Sequence, residues 1–272
     1  MKKALLISLV LLFLLTSVGE VFAKDKTPTL YIHCGAGLSP AMDKIKKAFE
    51  AKHDCKVDYS YKGSGCLLAD ITFSHRGDLY LPGESFYINK AEKKGFISKS
   101  QNIAYWSAVV ITPKNNPKNI QSFYDLARPG VRIALGDEEA CAIGKKQVPL
   151  LKKAGIYDEV QKNVVTRTLT VNHLATQAKL GHVDAAIVWT STAIPIIDDV
   201  LIIAPPEDII TITSVPIGIL KFTKHPEMAQ SFLDFLSTDE AKEIFHASGY
   251  STKKEEVYKD LKKFEERSKS KN

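Results

Sequence analysis

Short β-forming runs alternate with helix-forming stretches along most of this 272-residue chain, and this order constrains its fold more than any other feature. In the first half, Leu30–Ile32, Val57–Tyr61 and Gly77–Leu81 are predicted strands, and the segments between them carry apolar residues at helical spacing. A strand–helix–strand order implies a parallel sheet with helices on both faces. The same alternation restarts after a further predicted strand, Tyr105–Thr112.

These two units predict an α/β protein of two lobes, each a mainly parallel sheet flanked by helices. A predicted strand over 209–220 returns the chain to the first lobe, so we assign residues 24–105 and 215–272 to lobe 1 and residues 106–214 to lobe 2. The Lys- and Glu-rich segment from Lys253 to Asn272 is predicted to be a solvated helix. Ligands of open α/β sheets bind at the carboxyl ends of the strands, so we expect a ligand cleft between the lobes.

The first 23 residues have the order of charged and apolar residues that is typical of a secretory signal peptide. Lys2 and Lys3 precede an apolar run from Ala4 to Leu15, and the segment ends in small residues before an expected cleavage point after Ala23. The run is shorter than the roughly 20 residues that a membrane-spanning helix requires. We therefore expect export to a periplasm, with residues 1–23 removed.

Composition and motif content exclude several classes of function. The formal net charge is +6, and the basic residues do not cluster beside aromatic ones, so nucleic acid is not an expected partner. The motifs GxSxG, HExxH and CxxC are absent, so we expect a binding protein and not an enzyme. No cofactor and no resident metal ion is expected, and the protein is expected to be a monomer.

Three predicted strand-to-helix turns are built largely from small residues: Cys34–Ser39, Gly63–Cys66 and Gly136–Gly144. Small residues ahead of a helix allow backbone N–H groups to approach a ligand, and the helix dipole favours negative charge at that end. Neither GxGxxG nor GxxxxGK[ST] occurs, which argues against a nucleotide. The turns therefore predict a binding site for a small anion.

Seven segments, the three turns among them, share a pattern with a known family. They are GAGLSPAMDKIKKAFE, YKGSGCLLADI, GDLYLPGE, YWSAVVITPKNNP, GDEEACAIG, VNHLATQAKLGHVDAAIVW and FLDFLSTDEAKEIFHASGY. The chain resembles the periplasmic molybdate/tungstate-binding family, solute-binding proteins of ABC importers, over nearly all of residues 29–250. The resemblance implies the type II periplasmic-binding-protein fold. It also implies a tetrahedral oxyanion that is held by backbone N–H and hydroxyl groups without a cationic side chain.

By the same resemblance, two ligand hydroxyls of the family fall on positions that carry none here, Gly37 and Trp189. The other expected contacts fall on Ser64 or Gly65, near Ile143, and on Val171 with Asn172 beside it. Because two hydroxyls are missing, the ligand need not be molybdate. The complete set of expected ligand-binding residues is Cys34, Gly35, Ala36, Gly37, Ser64, Gly65, Cys66, Cys141, Ile143, Val171, Asn172 and Trp189.

The cysteines suggest a departure from the family. Cys34, Cys66 and Cys141 fall one in each of the three turns, while Cys55 precedes the second predicted strand. An oxidising compartment permits a Cys34–Cys66 disulfide. Thiols at helix starts have a lowered pKa and favour soft ligands, such as arsenic or selenium species. Inert buried cysteines are the third interpretation, and the sequence leaves all three open.

Two functions follow from these observations. In the first, the protein captures a tetrahedral oxyanion of the molybdate or tungstate type and delivers it to an ABC permease at the inner membrane. In the second, it is a sensory protein that binds an arsenic or selenium oxyanion through cleft cysteines and signals to a histidine kinase. In both, the lobes close around the ligand by a hinge motion.

Overall fold

Nine strands join one sheet in this computed structural model, which describes residues 27–270. The strands are β1 (Thr29–Gly35), β2 (Lys56–Lys62), β3 (Leu79–Leu81), β4 (Ile97–Pro113), β5 (Ile133–Gly136), β6 (Val164–Thr168), β7 (Ala185–Trp189), β8 (Val200–Ile203) and β9 (Ile212–Leu220). The predicted signal peptide, residues 1–23, lies outside the described residues. No helix from residue 27 to residue 270 combines the length and the apolar character that a bilayer crossing requires.

The sheet consists of two parallel groups of strands joined by an antiparallel pair. Its order is β2-β1-β3-β9-β4-β7-β5-β6, and β8 pairs with β4. β1 is parallel to β2 and β3, and β5 is parallel to β6 and β7. The long strand β4 joins the groups, because it pairs with β9 as far as Ser107 and with β7 and β8 from Ala108 onward. The predicted two-lobed α/β fold is confirmed, while the lobe boundaries stay a prediction.

Helices cover both parallel groups. They are α1 (Ser39–Glu50), α2 (Ser64–Ser74), α3 (Ser85–Lys93), α4 (Ala142–Lys153), α5 (Tyr157–Asn163), α6 (Val171–Lys179), α7 (Thr190–Ala193), α8 (Pro226–Leu236), α9 (Asp239–Ala247) and α10 (Val257–Ser270). Short 3-10 turns lie at Ala36–Leu38, Phe123–Ala127, Ile194–Ile196 and Lys254–Glu256. α1 and α2 pack beside β1 and β2, and α4 and α6 pack beside β5 and β7. In this arrangement, the N-terminal ends of several helices lie at the boundary between the two parallel groups of strands.

The first helix illustrates how the sequence pattern determines packing. Pro40 lies in the first turn of α1, where its missing N–H leaves no hydrogen bond unmade. Met42, Ile45 and Phe49 recur every three or four residues and are fully buried. Phe49 meets Phe232 of α8 edge to face, with ring centroids 5.0 Å apart. Burial of each large apolar side chain stabilises the fold by about 1.5–3 kcal/mol, which holds α1 on the sheet.

The C-terminal helix departs from the sequence prediction. α10 packs on β8 and β4, so it is not the solvated helix that the sequence predicts. Val257, Leu261 and Ser268 are buried at spacings of four and seven residues, which places them on one face of the helix. The Ser268 hydroxyl oxygen accepts a hydrogen bond from the backbone N–H of Ile202 at 3.0 Å. Because the segment carries many charged residues, this buried face is not evident from the sequence.

Candidate functional site

A small cavity lies where the carboxyl ends of β1, β2 and β7 approach the starts of α2, α4 and α6. The space open to the centre of a water-sized sphere is about 20 Å³. The cavity is lined by Gly35, Ala36, Gly37, Lys62, Gly63, Ser64, Gly83, Trp106, Cys141, Ala142, Thr170, Val171 and Trp189. Both parallel groups of strands contribute to this lining, so the cavity occupies the interlobe cleft.

The cavity is surrounded by helix starts. The 3-10 turn at Ala36, α2 at Ser64, α4 at Ala142 and α6 at Val171 all begin in its wall. The first N–H groups of a helix have no acceptor within the helix, and the dipole makes that end positive. Lys62 is the one cationic residue in the lining, and its ammonium group pairs with Asp70 at 2.6 Å, with both side chains partly exposed. Backbone groups, and not a side-chain cation, therefore make the cavity favourable for an anion.

Ser64 is positioned to offer a hydroxyl proton. Its side chain is 2% exposed, and its oxygen accepts a hydrogen bond from the backbone N–H of Gly83 at 3.0 Å. The Tyr80 hydroxyl donates to the Ser64 carbonyl at 2.8 Å and fixes the first turn of α2. The neighbouring Gly65 does not line the cavity, because its N–H donates to the carbonyl of Ala140 at 3.0 Å. Of the two expected positions, Ser64 is the one that faces the cavity.

Gly37 has no room for the serine that the family resemblance implies. A Cβ atom added there would lie 2.7 Å from Cγ1 of Val171 and 3.4 Å from Cδ1 of Trp189. Val171 thus occupies the space beside Gly37, and the indole of Trp189 is at contact distance from it. The hydroxyls of Tyr250 and Ser191 both donate to the Gly37 carbonyl, at 3.2 and 3.4 Å.

Trp106 lines the cavity and is absent from the expected set. It lies in β4 and is 1% exposed. Its ring stacks on Trp189, with centroids 4.5 Å apart and planes at 6°, and its other neighbour is Tyr250 at 5.3 Å and 20°. Its indole nitrogen is buried and has no hydrogen-bond partner.

Seven of the twelve expected residues line the cavity: Gly35, Ala36, Gly37, Ser64, Cys141, Val171 and Trp189. Five do not line it: Cys34, Gly65, Cys66, Ile143 and Asn172. Six lining residues are outside the expected set: Lys62, Gly63, Gly83, Trp106, Ala142 and Thr170. Of these, Gly63 and Ala142 belong to two of the predicted turns. Gly83 could have been predicted, because its turn follows a predicted strand that ends at the cleft. No sequence pattern indicates that Trp106 lines the cavity.

The cysteines do not form the predicted cluster. All four are free thiols, so there is no Cys34–Cys66 disulfide. Cys141 lines the cavity, and burial raises the pKa of its thiol to about 11 although the N–H groups of Gly144 and Ile143 oppose that rise. A neutral thiol of this kind is a weak ligand for a soft ion.

The other two turn cysteines point elsewhere. The Cys34 thiol is fully buried, donates to the Gly35 carbonyl at 3.7 Å, and has a pKa raised well above its usual value by burial. Cys66 is half-buried and lines a separate surface groove with Glu139 and Ala140. The hypothesis that three thiols share one cavity is therefore wrong, because only Cys141 of the three lines it. Between residues 27 and 270, no three His, Cys, Asp or Glu side chains are grouped so as to hold a metal ion.

Contacts across the cleft hold the two sides together. The Asn172 side-chain amide donates to the Ala36 carbonyl at 3.1 Å, so Asn172 bridges the cleft instead of lining the cavity. Lys146 pairs with Glu84 at 3.4 Å, and the Glu84 carboxylate also caps α3 by accepting from the N–H of Phe86. With the Gly65–Ala140 bond, these contacts describe a closed cleft.

Comparisons with known proteins agree with this architecture. Residues 30–251 match the family model described as bacterial extracellular solute-binding protein. A binding protein of Haemophilus influenzae is 31% identical over 221 residues, covering 81% of this chain and 90% of the relative. The molybdate-binding protein ModA of Mycobacterium tuberculosis is 24% identical over 226 residues, covering 82% of this chain and 84% of the relative.

Among solved structures, the sulfate-binding protein SubI of Mycobacterium tuberculosis matches with a TM-score of 0.76 and 19% identity, covering 82% of this chain and 86% of that one. This likeness concerns the fold. The matched family consists of substrate-binding proteins, which are not enzymes. This chain belongs to the family of bacterial extracellular solute-binding proteins.

Proposed function

We propose that this protein captures one small, fully ionised tetrahedral oxyanion, of the molybdate, tungstate or sulfate type, and delivers it to an ABC permease. The observation that carries the proposal is a cavity of about 20 Å³ that is walled by helix starts and has no unpaired cation in its lining. The molybdate- and sulfate-binding names of the relatives support the same class of ligand.

The size of the cavity favours a compact ion. A sphere of about 20 Å³ has a radius of about 1.7 Å, and adding the water radius of about 1.4 Å gives a cavity roughly 3 Å in radius. A single tetrahedral oxyanion has this size, whereas a sugar phosphate or a nucleotide is much larger. The proposed ligand therefore fits the cleft in the closed form.

The lining also favours an anion without protons. It contains no Asp, Glu or His side chain that could accept a proton from the ligand. The N–H groups of the helix starts and the hydroxyl of Ser64 can donate. Sulfate, molybdate and tungstate carry no proton at neutral pH, whereas phosphate and arsenate carry at least one. A donor-rich cavity therefore binds the first group more tightly than the second.

Isothermal titration calorimetry tests the proposal. The chain is expressed with residues 1–23 retained as the export signal and is purified from the periplasmic fraction. It is then titrated with molybdate, tungstate, sulfate, phosphate, arsenate, arsenite and selenite, with and without a thiol reductant. We expect one ion per chain, a preference for the fully ionised tetrahedral ions, and no effect of the reductant. Absence of binding by every tetrahedral ion would refute the proposal. Reductant-dependent binding of arsenite alone would favour the sensor function instead.

A further inference from the structure

We infer that the indole N–H of Trp106 donates a hydrogen bond to the bound oxyanion and replaces a hydroxyl donor that this chain lacks. The inference rests on the proposed function and adds to it a ligand residue on β4, which carries none of the positions expected from the family resemblance. The first observation is the state of the Trp106 nitrogen. It is buried, has no partner, and belongs to a residue that lines the cavity.

A buried donor without an acceptor is rare in native proteins, because it loses its bond to water and gains nothing in return. Tryptophan can donate one hydrogen bond from this atom and can accept none. An anion in the cavity supplies the acceptor. The unpartnered atom is therefore explained by the ligand that the helix starts already favour.

Strand register and stacking constrain the position of the Trp106 ring. Ala108 of β4 lies opposite Trp189 of β7, so Trp106, two residues earlier on the same face, lies diagonally across from Trp189. The Trp106 ring is stacked with both Trp189 and Tyr250. Because these partners contact ring faces, the edge of the ring that carries the N–H is the part left to meet a ligand. The donor is positioned before the ligand arrives.

The benzo edge of the indole lies beside Gly83, on the Ser64 side of the cavity. A Cβ atom added at Gly83 would lie 3.1 Å from Cζ2 of Trp106, which is next but one to the nitrogen along the ring. The N–H of Gly83 in turn donates to the Ser64 hydroxyl oxygen. Gly83 thus allows the indole edge and the Ser64 hydroxyl to reach the same part of the cavity.

This arrangement accounts for the two missing hydroxyls. Val171 fills the space where a side chain at position 37 would stand, since a Cβ atom there would lie 2.7 Å from its Cγ1. Trp189 stands at the second position where the family resemblance implies a hydroxyl, and its ring stacks on Trp106. Trp189 therefore takes the place of one hydroxyl donor and packs against the residue that offers an indole donor. Because an indole cannot accept a hydrogen bond, the exchange strengthens the preference for an ion without protons.

The test replaces Trp106 by phenylalanine, which keeps an aromatic ring beside Trp189 and Tyr250 and removes the N–H together with one of the two fused rings. A lost hydrogen bond to a charged group lowers affinity by about 10- to 100-fold, so the W106F variant is expected to bind the preferred oxyanion that much more weakly. Its melting temperature without ligand is expected to stay within a few degrees of the wild type. Unchanged affinity would overturn the inference and leave the proposed function standing.

A second measurement on the wild type removes any dependence on how the variant folds. The chain has two tryptophans, so its ¹H–¹⁵N spectrum contains two indole signals, which W189F or W106F assigns. Addition of molybdate or sulfate is expected to shift the Trp106 signal downfield. A Trp106 signal that does not respond to a saturating ligand would overturn the inference. Failure of the wild type to bind any oxyanion would overturn the proposed function together with it.

Discussion

Replacement of Gly65 by alanine should weaken ligand binding without lowering the thermal stability of the protein. Gly65 is the second residue of α2, and its N–H donates to the Ala140 carbonyl across the cleft. A Cβ atom added there would overlap the carbonyl oxygen of Glu139 and lie 3.1 Å from Cα of Ala140. Real Cβ atoms essentially never come closer than 3.0 Å to such atoms, so the G65A variant cannot close its cleft as the wild type does.

The same methyl group is favourable within the helix. Alanine is preferred over glycine in a helix interior by about 1 kcal/mol, and near the helix start the gain is of this order or smaller. For a domain of this size, 1 kcal/mol raises the melting temperature by roughly 2–4 °C. Closure, by contrast, loses the Gly65–Ala140 hydrogen bond, worth about 1 kcal/mol, and the exclusion of water from the ligand. We therefore expect equal or higher thermal stability and at least tenfold weaker oxyanion binding.

Calorimetry measures both quantities on one preparation. The matched control is Ser231→Ala in α8, which also exchanges a residue for alanine within a helix. The Ser231 hydroxyl donates to the Glu227 carbonyl of the same helix, away from the cleft contacts. The control is expected to bind as the wild type does. If G65A binds with wild-type affinity, the turn before α2 does not meet Glu139 in the ligand-bound form. If G65A melts several degrees lower, the contact belongs to the permanent fold and not to closure. Either result would refute the reasoning.

Three further predictions concern residues outside the cavity. Cys66→Ser should leave oxyanion affinity unchanged in titrations, since the Cys66 residue lines a separate groove. A loss of affinity of more than tenfold would support the hypothesis that the Cys66 thiol contacts the ligand. Burial alone would raise the pKa of Asp184, but hydrogen bonds from the Arg132 guanidinium and N–H outweigh it and lower that pKa. Asp184→Asn should therefore lose about 2 kcal/mol of unfolding free energy at pH 7. In denaturant melts, the stability difference between wild type and variant should shrink as the pH drops below about 4, because the folded protein favours the ionised Asp184 and this advantage is lost on protonation. A difference that stays constant with pH would contradict the prediction. Leu261→Ala should cost about 2–5 kcal/mol in the same melts without changing affinity, because the Leu261 side chain of α10 is fully buried; a neutral effect would mean that α10 does not pack on the sheet.

The local parts of the fold were predictable from the sequence, and the long-range pairings were not. The apolar spacing of Met42, Ile45 and Phe49 predicts α1 and its buried face, because both depend on residues within one helix. The antiparallel pairing of β4 with β9 joins residues more than a hundred positions apart, such as Tyr105 and Ser214, and no local pattern encodes it. The helix α10 was misjudged for a related reason. Its buried side depends on β8, a strand far away in the sequence.

The candidate site divides in the same way. The turns at Gly37 and Ser64 were found because close approach of backbone to a ligand demands small residues, which is a local requirement. Cys34 was misplaced because its thiol lies on the buried side of β1, where it donates to the carbonyl of Gly35, although the backbone of Gly35 lines the cavity. Trp106 was missed because its place depends on long-range pairing, with Thr213 of β9 opposite it and Trp189 of β7 opposite Ala108, and on stacking with Trp189.

Unpartnered donors also explain how ligand binding and closure can be coupled. If the cleft closed without a ligand, the indole N–H of Trp106 would leave water without gaining an acceptor, and so would every helix-start N–H that has no protein acceptor. Each buried unpaired donor costs about 1–3 kcal/mol, which alone lowers the population of the empty closed form by about 5- to 150-fold. A bound oxyanion removes that cost, so it binds the closed form more tightly than the open one and shifts the equilibrium toward it. A permease that recognises the closed form would then engage the protein only when the cleft is loaded.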